Sequence, residues 1–431
     1  MTAQPSSAIP AGPEASRKAK FSWSIYDWAS NGFGTVILSF VFSAYFTNAV
    51  APSPEEGTSL WGWAIAASSI AVAILAPITG AAADQGGRVK PWLAVTTLLC
   101  AAATALLWFV DPSATAIMLA VILVAVSNFG YEMSMVFYNA MLPSLVAPHR
   151  MGRLSGWAWS SGYFGGLAIL AFVLFGFIQP ETPLFGLEKE TAEHVRIAGP
   201  LAAAWFLIFA IPLFLFTPDR PTTPLGLGTM VKRGAVQLAS TIRRVRQHAN
   251  MFRFLIARLF YVDGLNTMFV FGGVFAAGTF GMEVADVIMF GIALNICAGL
   301  GAAAGGWVDD WIGPKRTIIW SLLGLMVCGL TVVTTTSIDV FWIFGSALGF
   351  FMGPVQSASR SLMGRIAPSE MATEMFGLFA TSGKATSFVG PALVAWIAAV
   401  TESQRLAIGS VTIFFVIGLI LLFRVRDPQA E

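Results

Sequence analysis

The segment Gly80-Ala81-Ala82-Ala83-Asp84-Gln85-Gly86-Gly87-Arg88-Val89-Lys90 is a short charged hinge between two long apolar runs, and it is written twice. The second copy, Gly306-Trp307-Val308-Asp309-Asp310-Trp311-Ile312-Gly313-Pro314-Lys315-Arg316, lies 226 residues further on, about half the chain. Both copies read G-x-x-x-D-x-x-G followed by basic residues. The flanks repeat as well. Pro148 to Gly156 echoes Pro368 to Gly377, and Ser161-Gly162-Tyr163 answers Ser382-Gly383-Lys384. A helical unit duplicated in this way is a common construction among membrane transporters.

The composition agrees. Of 431 residues, 56% are hydrophobic and 11% are charged, whereas a soluble domain carries about 25% charged residues. Such a chain lacks the polar surface of a water-soluble globule, and the expected class is an all-α integral membrane protein. A span needs about 20 apolar residues. Candidate spans fall near 21–47, 60–84, 91–110, 114–141, 153–179, 199–217, 251–279, 284–307, 315–336, 338–364, 372–398 and 404–424. They make twelve transmembrane helices in two pseudo-symmetric six-helix bundles. The expected layout is a disordered cytoplasmic tail over 1–20, an N-terminal bundle over 21–217, a cytoplasmic linker over 218–250, a C-terminal bundle over 251–424 and a tail over 425–431.

Lysine and arginine in the loops set orientation. Only Lys189, Arg196 and Arg405 fall in the loops of one side, and Arg258, Arg360 and Lys384 fall inside spans. The remaining 19 of the 25 Lys and Arg collect on the other side or in the tails. That side is cytoplasmic, so both termini are expected inside, in a cell membrane such as the bacterial inner membrane. The linker's basic stretch, through Arg243, Arg244 and Arg246, fits either a helix lying on the inner leaflet or a solvated connector. The 180–198 loop is expected to carry a short surface helix.

Several chemistries find no support. Cys100, Cys297 and Cys328 all sit in apolar runs and read as packing residues. His149, His194 and His248 fall in separate loops, so no metal is expected. Gly299-Leu300-Gly301-Ala302-Ala303-Ala304 looks like a dinucleotide fingerprint but lies inside a span, where small residues serve helix packing. No G-x-x-x-x-G-K-[ST] phosphate loop is encoded. The reading expects no enzyme activity, no cofactor and no nucleic acid.

Ionisable groups inside a span are costly and mark function by default. Here they are Asp27, Glu132, Arg258, Asp263, Arg360 and Lys384. Asn128, Glu132, Met135 and Asn139 share one helical face, as do Asp27 with Asn31 and Gln356 with Arg360. Tyr163 and Lys384 occupy matching repeat positions, and Asn266 joins the polar set. Structural readings stand beside the functional ones. Asp27 caps its helix or pairs with an inner-loop arginine. Glu132 either pairs with Arg360 or carries a proton. Asp263 neutralises Arg258. Lys384, close to mid-span, takes Glu132, Asp27 or a substrate carboxylate as partner.

With these residues in place, the hinges resemble the loops of the major facilitator superfamily. The first matches its G-x-x-x-D-x-x-G-R-x-K pattern at Gly80, Asp84, Gly87, Arg88 and Lys90, and the second departs at Pro314. Tyr26-Asp27-Trp28-Ala29-Ser30-Asn31 and Gly353-Pro354-Val355-Gln356-Ser357-Ala358-Ser359-Arg360-Ser361 resemble the bacterial relatives of the vacuolar amino-acid effluxer family linked to autophagy. The resemblance implies helices 1, 4, 7 and 10 around a central cavity. It also implies gating by Gly80, Asp84, Arg88, Asp310, Lys315 and Arg316 at the inner face. It implies a monomeric secondary transporter in the lipid bilayer that moves a small polar solute such as an amino acid outward, coupled to protons. Alternatives are uptake of an organic solute and a binding or assembly protein that has lost transport. Ser161-Gly162-Tyr163-Phe164-Gly165-Gly166 resembles the antiporter signature of helix 5 only in part, with Ser-Gly in place of Gly-Pro.

Overall fold

The computed structural model describes residues 14–223, 225–243 and 247–427. Residues 1–13 and 428–431 of the expected tails, and Arg244 and Arg246 of the linker, lie outside the described residues. Twelve helices are long and apolar enough to span a bilayer. They are α1 Arg17–Val50, α2 Pro54–Gly86, α3 Lys90–Phe109, α4 Ala114–Leu145, α5 Pro148–Ile178, α6 Glu193–Phe216, α7 Ala249–Phe280, α8 Ala285–Ile312, α9 Pro314–Thr334, α10 Ile338–Ile366, α11 Ser369–Thr401 and α12 Gln404–Phe423.

Local chemistry sets the ends. Ser53 Oγ accepts from Glu56 N at 3.2 Å, Pro54 occupies the first turn, and Glu55 and Glu56 face its free amides, so α2 starts earlier than hydropathy suggests. Ser16 caps α1 by accepting from Ala19 N at 3.1 Å. Arg17, Lys18 and Lys20 therefore belong to the first helix and not to a disordered tail. Gly87 ends α2 with φ +78°, and Gly313 stands between α8 and α9 with φ +93°, a region that favours glycine.

One feature matches one of its expected readings and one departs from expectation. The linker contains a helix, Leu227–Arg243, as the first of its two readings has it, and this helix packs along α2. A Cβ on Gly234 would stand 2.6 Å from Ala82 N, so that contact is backbone to backbone. Leu227, Val231, Val236 and Ile242 remain exposed on this helix. The span α11 is broken: Ala372–Lys384 and Val389–Thr401 are helical, and residues 385–388 turn between them. In the 180–198 loop, the helical turn Glu193–Arg196 joins α6.

Helices α1 to α6 and α7 to α12 form the two halves, and the largest contacts between them are α5 with α8 and α2 with α11. Small residues from the repeat make both crossings. A Cβ on Gly156 would lie 2.7 Å from Gly306 Cα, and one on Gly377 would lie 2.8 Å from Pro77 Cα. Close backbone approach of this kind drives association where lipid removes the hydrophobic difference. Large side chains such as Ile70, Ile122, Phe172, Trp320 and Ile343 point outward, as a lipid-facing surface requires. Replacing Gly156 with Leu overpacks the α5–α8 crossing and is expected to cost about 1–3 kcal/mol. Gly62→Leu, where a Cβ meets nothing within 4 Å, serves as control. Thermal unfolding of the purified protein should show a lowered midpoint for the first variant alone.

Candidate functional site

The polar residues of the spans assemble into a cavity and two layers that close one end of it. The cavity, about 210 Å³, lies between the halves. Glu132 of α4 and Lys384 of α11 meet in it at 2.7 Å. Arg258, Asn266 and Gln356 line it too, with Tyr131, Trp159, Phe376 and Phe379 as aromatic wall. Arg258 is buried, lies 3.4 Å from the Phe379 ring centroid, and donates to Phe379 O at 2.6 Å and Ser382 Oγ at 2.8 Å. Two cations against one carboxylate leave the cavity with an excess positive charge. A separate apolar cleft within the C-terminal half, bordered by Met268, Phe290 and Leu348, offers almost nothing to orient a polar solute.

The first closing layer is centred on Arg360. Its side chain is 2% exposed and lies among groups of the opposite half. It pairs with Asp27 of α1 at 2.8 Å and donates to Ser155 Oγ at 2.8 Å, Ser155 O at 2.7 Å and Asn139 Oδ1 at 3.3 Å. Trp23, Tyr138 and Trp159 surround the guanidinium with ring centroids 4.9 to 5.6 Å away. A planar guanidinium suits such an aromatic, multidentate setting.

The second layer is the pair of hinges. Asp84 accepts from Thr373 N at 3.2 Å and Glu374 N at 2.8 Å, capping the start of α11 in the other half. Asp310 accepts from Gly152 N at 2.9 Å and Arg153 N at 3.2 Å, capping α5. The acceptors are 226 residues apart and the amides 221, so the two contacts are one contact repeated. The side chains differ. Arg153 closes on Asp310 at 2.7 Å. The matching Glu374 instead stands beside another acid, and the linker supplies the compensation. Arg220 pairs with Asp84 at 2.9 Å, Gln237 donates to Glu374 at 2.5 Å, and Gln237 also meets Gln85.

The pairings depart from several expectations. Glu132 does not meet Arg360 but Lys384, for which it is one of the expected partners. Asp27 pairs with α10 and not with an inner-loop arginine. Asp263 forms no ion pair with Arg258 among the described residues; its Oδ2 accepts from Gly390 N at 3.3 Å. Asn128 donates to Ser68 Oγ at 2.6 Å within the N-terminal half, Asn31 donates to Asp27 O at 3.3 Å, and Tyr163 lies beside Trp159 with ring centroids 6.0 Å apart. Of the gating set, Gly80, Asp84 and Asp310 cross between halves. Arg88 pairs with linker Asp219 at 3.6 Å, Lys315 donates to Val425 O at 2.6 Å, and Arg316 is exposed. Sequence reasoning missed Arg153, Ser155, Arg220, Gln237, Asp309 and Arg365. Arg365 holds both Asp309, at 2.8 Å, and Asp310, at 3.2 Å. Gly152 and Arg153 sit inside the echoed segment, which was the available signal.

Comparison with known proteins agrees with the fold. The family model described as vacuole effluxer Atg22 like matches residues 55–431. An uncharacterized MFS-type transporter of Bacillus subtilis (strain 168), YxiO, is 28% identical over 422 residues, covering 96% of either chain. Autophagy-related protein 22 of Cryptococcus neoformans is 24% identical over 302 residues, 65% of this chain; the match spans about half, 51%, of that relative's length. The fucose:proton symporter FucP of E. coli superposes with TM-score 0.73 at 15% identity over 95% of this chain and 98% of that one. The proton:xylose symporter XylE does so with 0.74 at 13% over 95% and 96%. Both share the fold.

The hinge contacts predict a measurable opening. Asp84→Asn and Asp310→Asn each weaken carboxylate bonds to helix-start amides, worth about 2 kcal/mol or roughly a thirtyfold shift in population. With Cys297 replaced and a reporter Gln356→Cys in the cavity wall, thiol labelling from the hinge side should accelerate in both variants.

Proposed function

The chain belongs to the vacuole effluxer Atg22-like family of major facilitator transporters, and on that premise we propose that it exports a small zwitterionic solute, an amino acid or close analogue, by alternating access. Secondary transport of this kind moves two rigid halves about a fixed central site. The reading takes the hinge side and both termini as cytoplasmic, from the loop charges, and the protein as a monomer in the cell (bacterial inner) membrane. The family's effluxer description supports outward movement, and the two proton symporters of the same fold support proton coupling as part of the reading.

The observation that carries the reading is the ion pair Lys384–Glu132, 2.7 Å across the two halves, beside the uncompensated Arg258. A zwitterion can replace the pair group for group. Its carboxylate takes Lys384 and Arg258, and its ammonium takes Glu132. The pair thus keeps both charges satisfied when no cargo is bound, and opens at little electrostatic cost when cargo arrives. The aromatic wall receives an apolar side chain. Because Glu132 rides on α4 and Lys384 on α11, cargo held by both reports to both halves, which is what makes a binding event able to bias their arrangement.

The decisive experiment is counterflow in liposomes with labelled amino acids, run from either side to fix direction. Lys384→Ala should abolish saturable flux while the protein still folds. Glu132→Gln should weaken amino acids more than the corresponding des-amino acids. Normal transport by Lys384→Ala would make the lysine a structural counter-charge and remove the site.

A further inference from the structure

The break in α11 brings together three things that the cargo reading does not use. Asp263 of α7 is 2% exposed. Its Oδ2 accepts from Gly390 N, 3.3 Å away, in the first turn of the second half of α11. Its Oδ1, also buried, has no hydrogen-bond partner among the described residues. Gly390 is required for this approach. A Cβ there would collide with Thr267 Oγ1 and stand 3.1 Å from Asp263 Oδ1, and Thr267 is itself held by a hydrogen bond to Asp263 O at 2.8 Å.

The charges facing this point are already committed. On α7 itself, Arg258 is turned to Phe379 O and Ser382 Oγ of α11. On α11, Lys384 is paired with Glu132 of α4. On α10, Arg360 is paired with Asp27. Helix α12 presents Phe414 and Phe415 to Gly264, the next residue of α7. On α8, Asp286 lies in the first turn and adds no cation. Asp263 makes no ion pair among the described residues. A bare carboxylate buried without a cation is strongly disfavoured, and the start of one half-helix offsets only part of that cost.

We propose that Asp263 is the proton-binding group of the transport cycle, protonated on Oδ1 in this conformation and ionised in the other. The O–H bond forms with a proton taken from water on one side and breaks to return it to water on the other. Val262 and Asn266, on either side of Asp263 in sequence, line the cargo cavity. Lys384 ends the first half of α11, and Gly390 opens the second. Ionised Asp263 grips the Gly390 amide harder than the neutral acid does, and so pulls on the turn that carries Lys384. Proton and cargo are thereby linked through four residues, 385–388. This assignment rests on the transporter reading of the cavity for its coupling, and on Asp263 alone for its chemistry.

The test uses the full chain in lipid vesicles and begins without any cargo. Infrared spectra across a pH titration should show a protonated-carboxyl band that disappears on alkalinisation. The band should be lost in Asp263→Asn, retained in Glu132→Gln, and moved in frequency in Asp263→Glu, which keeps a titrating acid if the asparagine variant does not fold. A second arm imposes a pH gradient: amino-acid accumulation above equilibrium should be lost in Asp263→Asn and restored in Asp263→Glu. A band that persists in Asp263→Asn, or one that sodium displaces at fixed pH, overturns the proposal. Absence of amino-acid flux in the parent protein would overturn the cargo assignment while the cargo-free band still decides the proton site.

Discussion

The hinge end of this molecule is organised by one buried ion pair, Arg360 with Asp27, at 2.8 Å and with both side chains 2% exposed. The arginine is carried by the C-terminal half, and every side chain that satisfies it comes from the N-terminal half. Breaking such a pair by removing one partner leaves an uncompensated charge and costs about 3–5 kcal/mol. The halves therefore cannot part at this end without finding the guanidinium other acceptors. The hinge capping contacts lie beyond it and the cargo pair on its other side. Asn139 and Trp159 belong to both the cavity wall and the arginine's surroundings, so a change in the cavity is felt directly by the lock.

The duplication explains the form of the hinge contacts. Each half contributes an aspartate at the end of its second helix and a pair of free amides at the start of its fifth, and the halves exchange them. Helix-start amides donate readily to a carboxylate because they are unsatisfied and sit at the positive end of the dipole. Such contacts are also made and broken without moving any charge into lipid. The exchange is not equal. Arg153 strengthens one side, while Glu374 opposes the other and is balanced by Arg220 and Gln237. The linker thus takes part in the contact between the halves as well as joining them, and its helix stays on α2 through the glycine contact at Gly234.

Much of this was legible in the chain. Hydropathy located the twelve spans, and the duplicated hinge marked two aspartates, Asp84 and Asp310, that cross between the halves. The cost of charge in lipid picked out Asp27, Glu132, Arg258, Asp263, Arg360 and Lys384. Which acid meets which base was not legible, because the partners are set by helix crossings between residues as far apart as Asp27 and Arg360, 333 positions. The break after Lys384 carried a signal that hydropathy ran through: Pro391, in the first turn of Val389–Thr401, lacks the amide that would continue the helix from Ser387, and Thr386, Ser387 and the glycines at 383 and 390 accompany it. The start of α1 was misplaced because its first turn is basic and polar, and a helix held by a Ser16 cap needs no apolar residue there.

The central claim is that burial of one half's charge inside the other holds the hinge end shut. It is tested most directly by electron–electron distance measurements between spin labels at the exposed positions Arg88 and Arg316, comparing the parent protein with Arg360→Ala in the same lipid. The account predicts a single short distance in the parent and a second, longer population in the variant. A distribution unchanged by loss of Arg360, in a protein that still unfolds cooperatively, would contradict it.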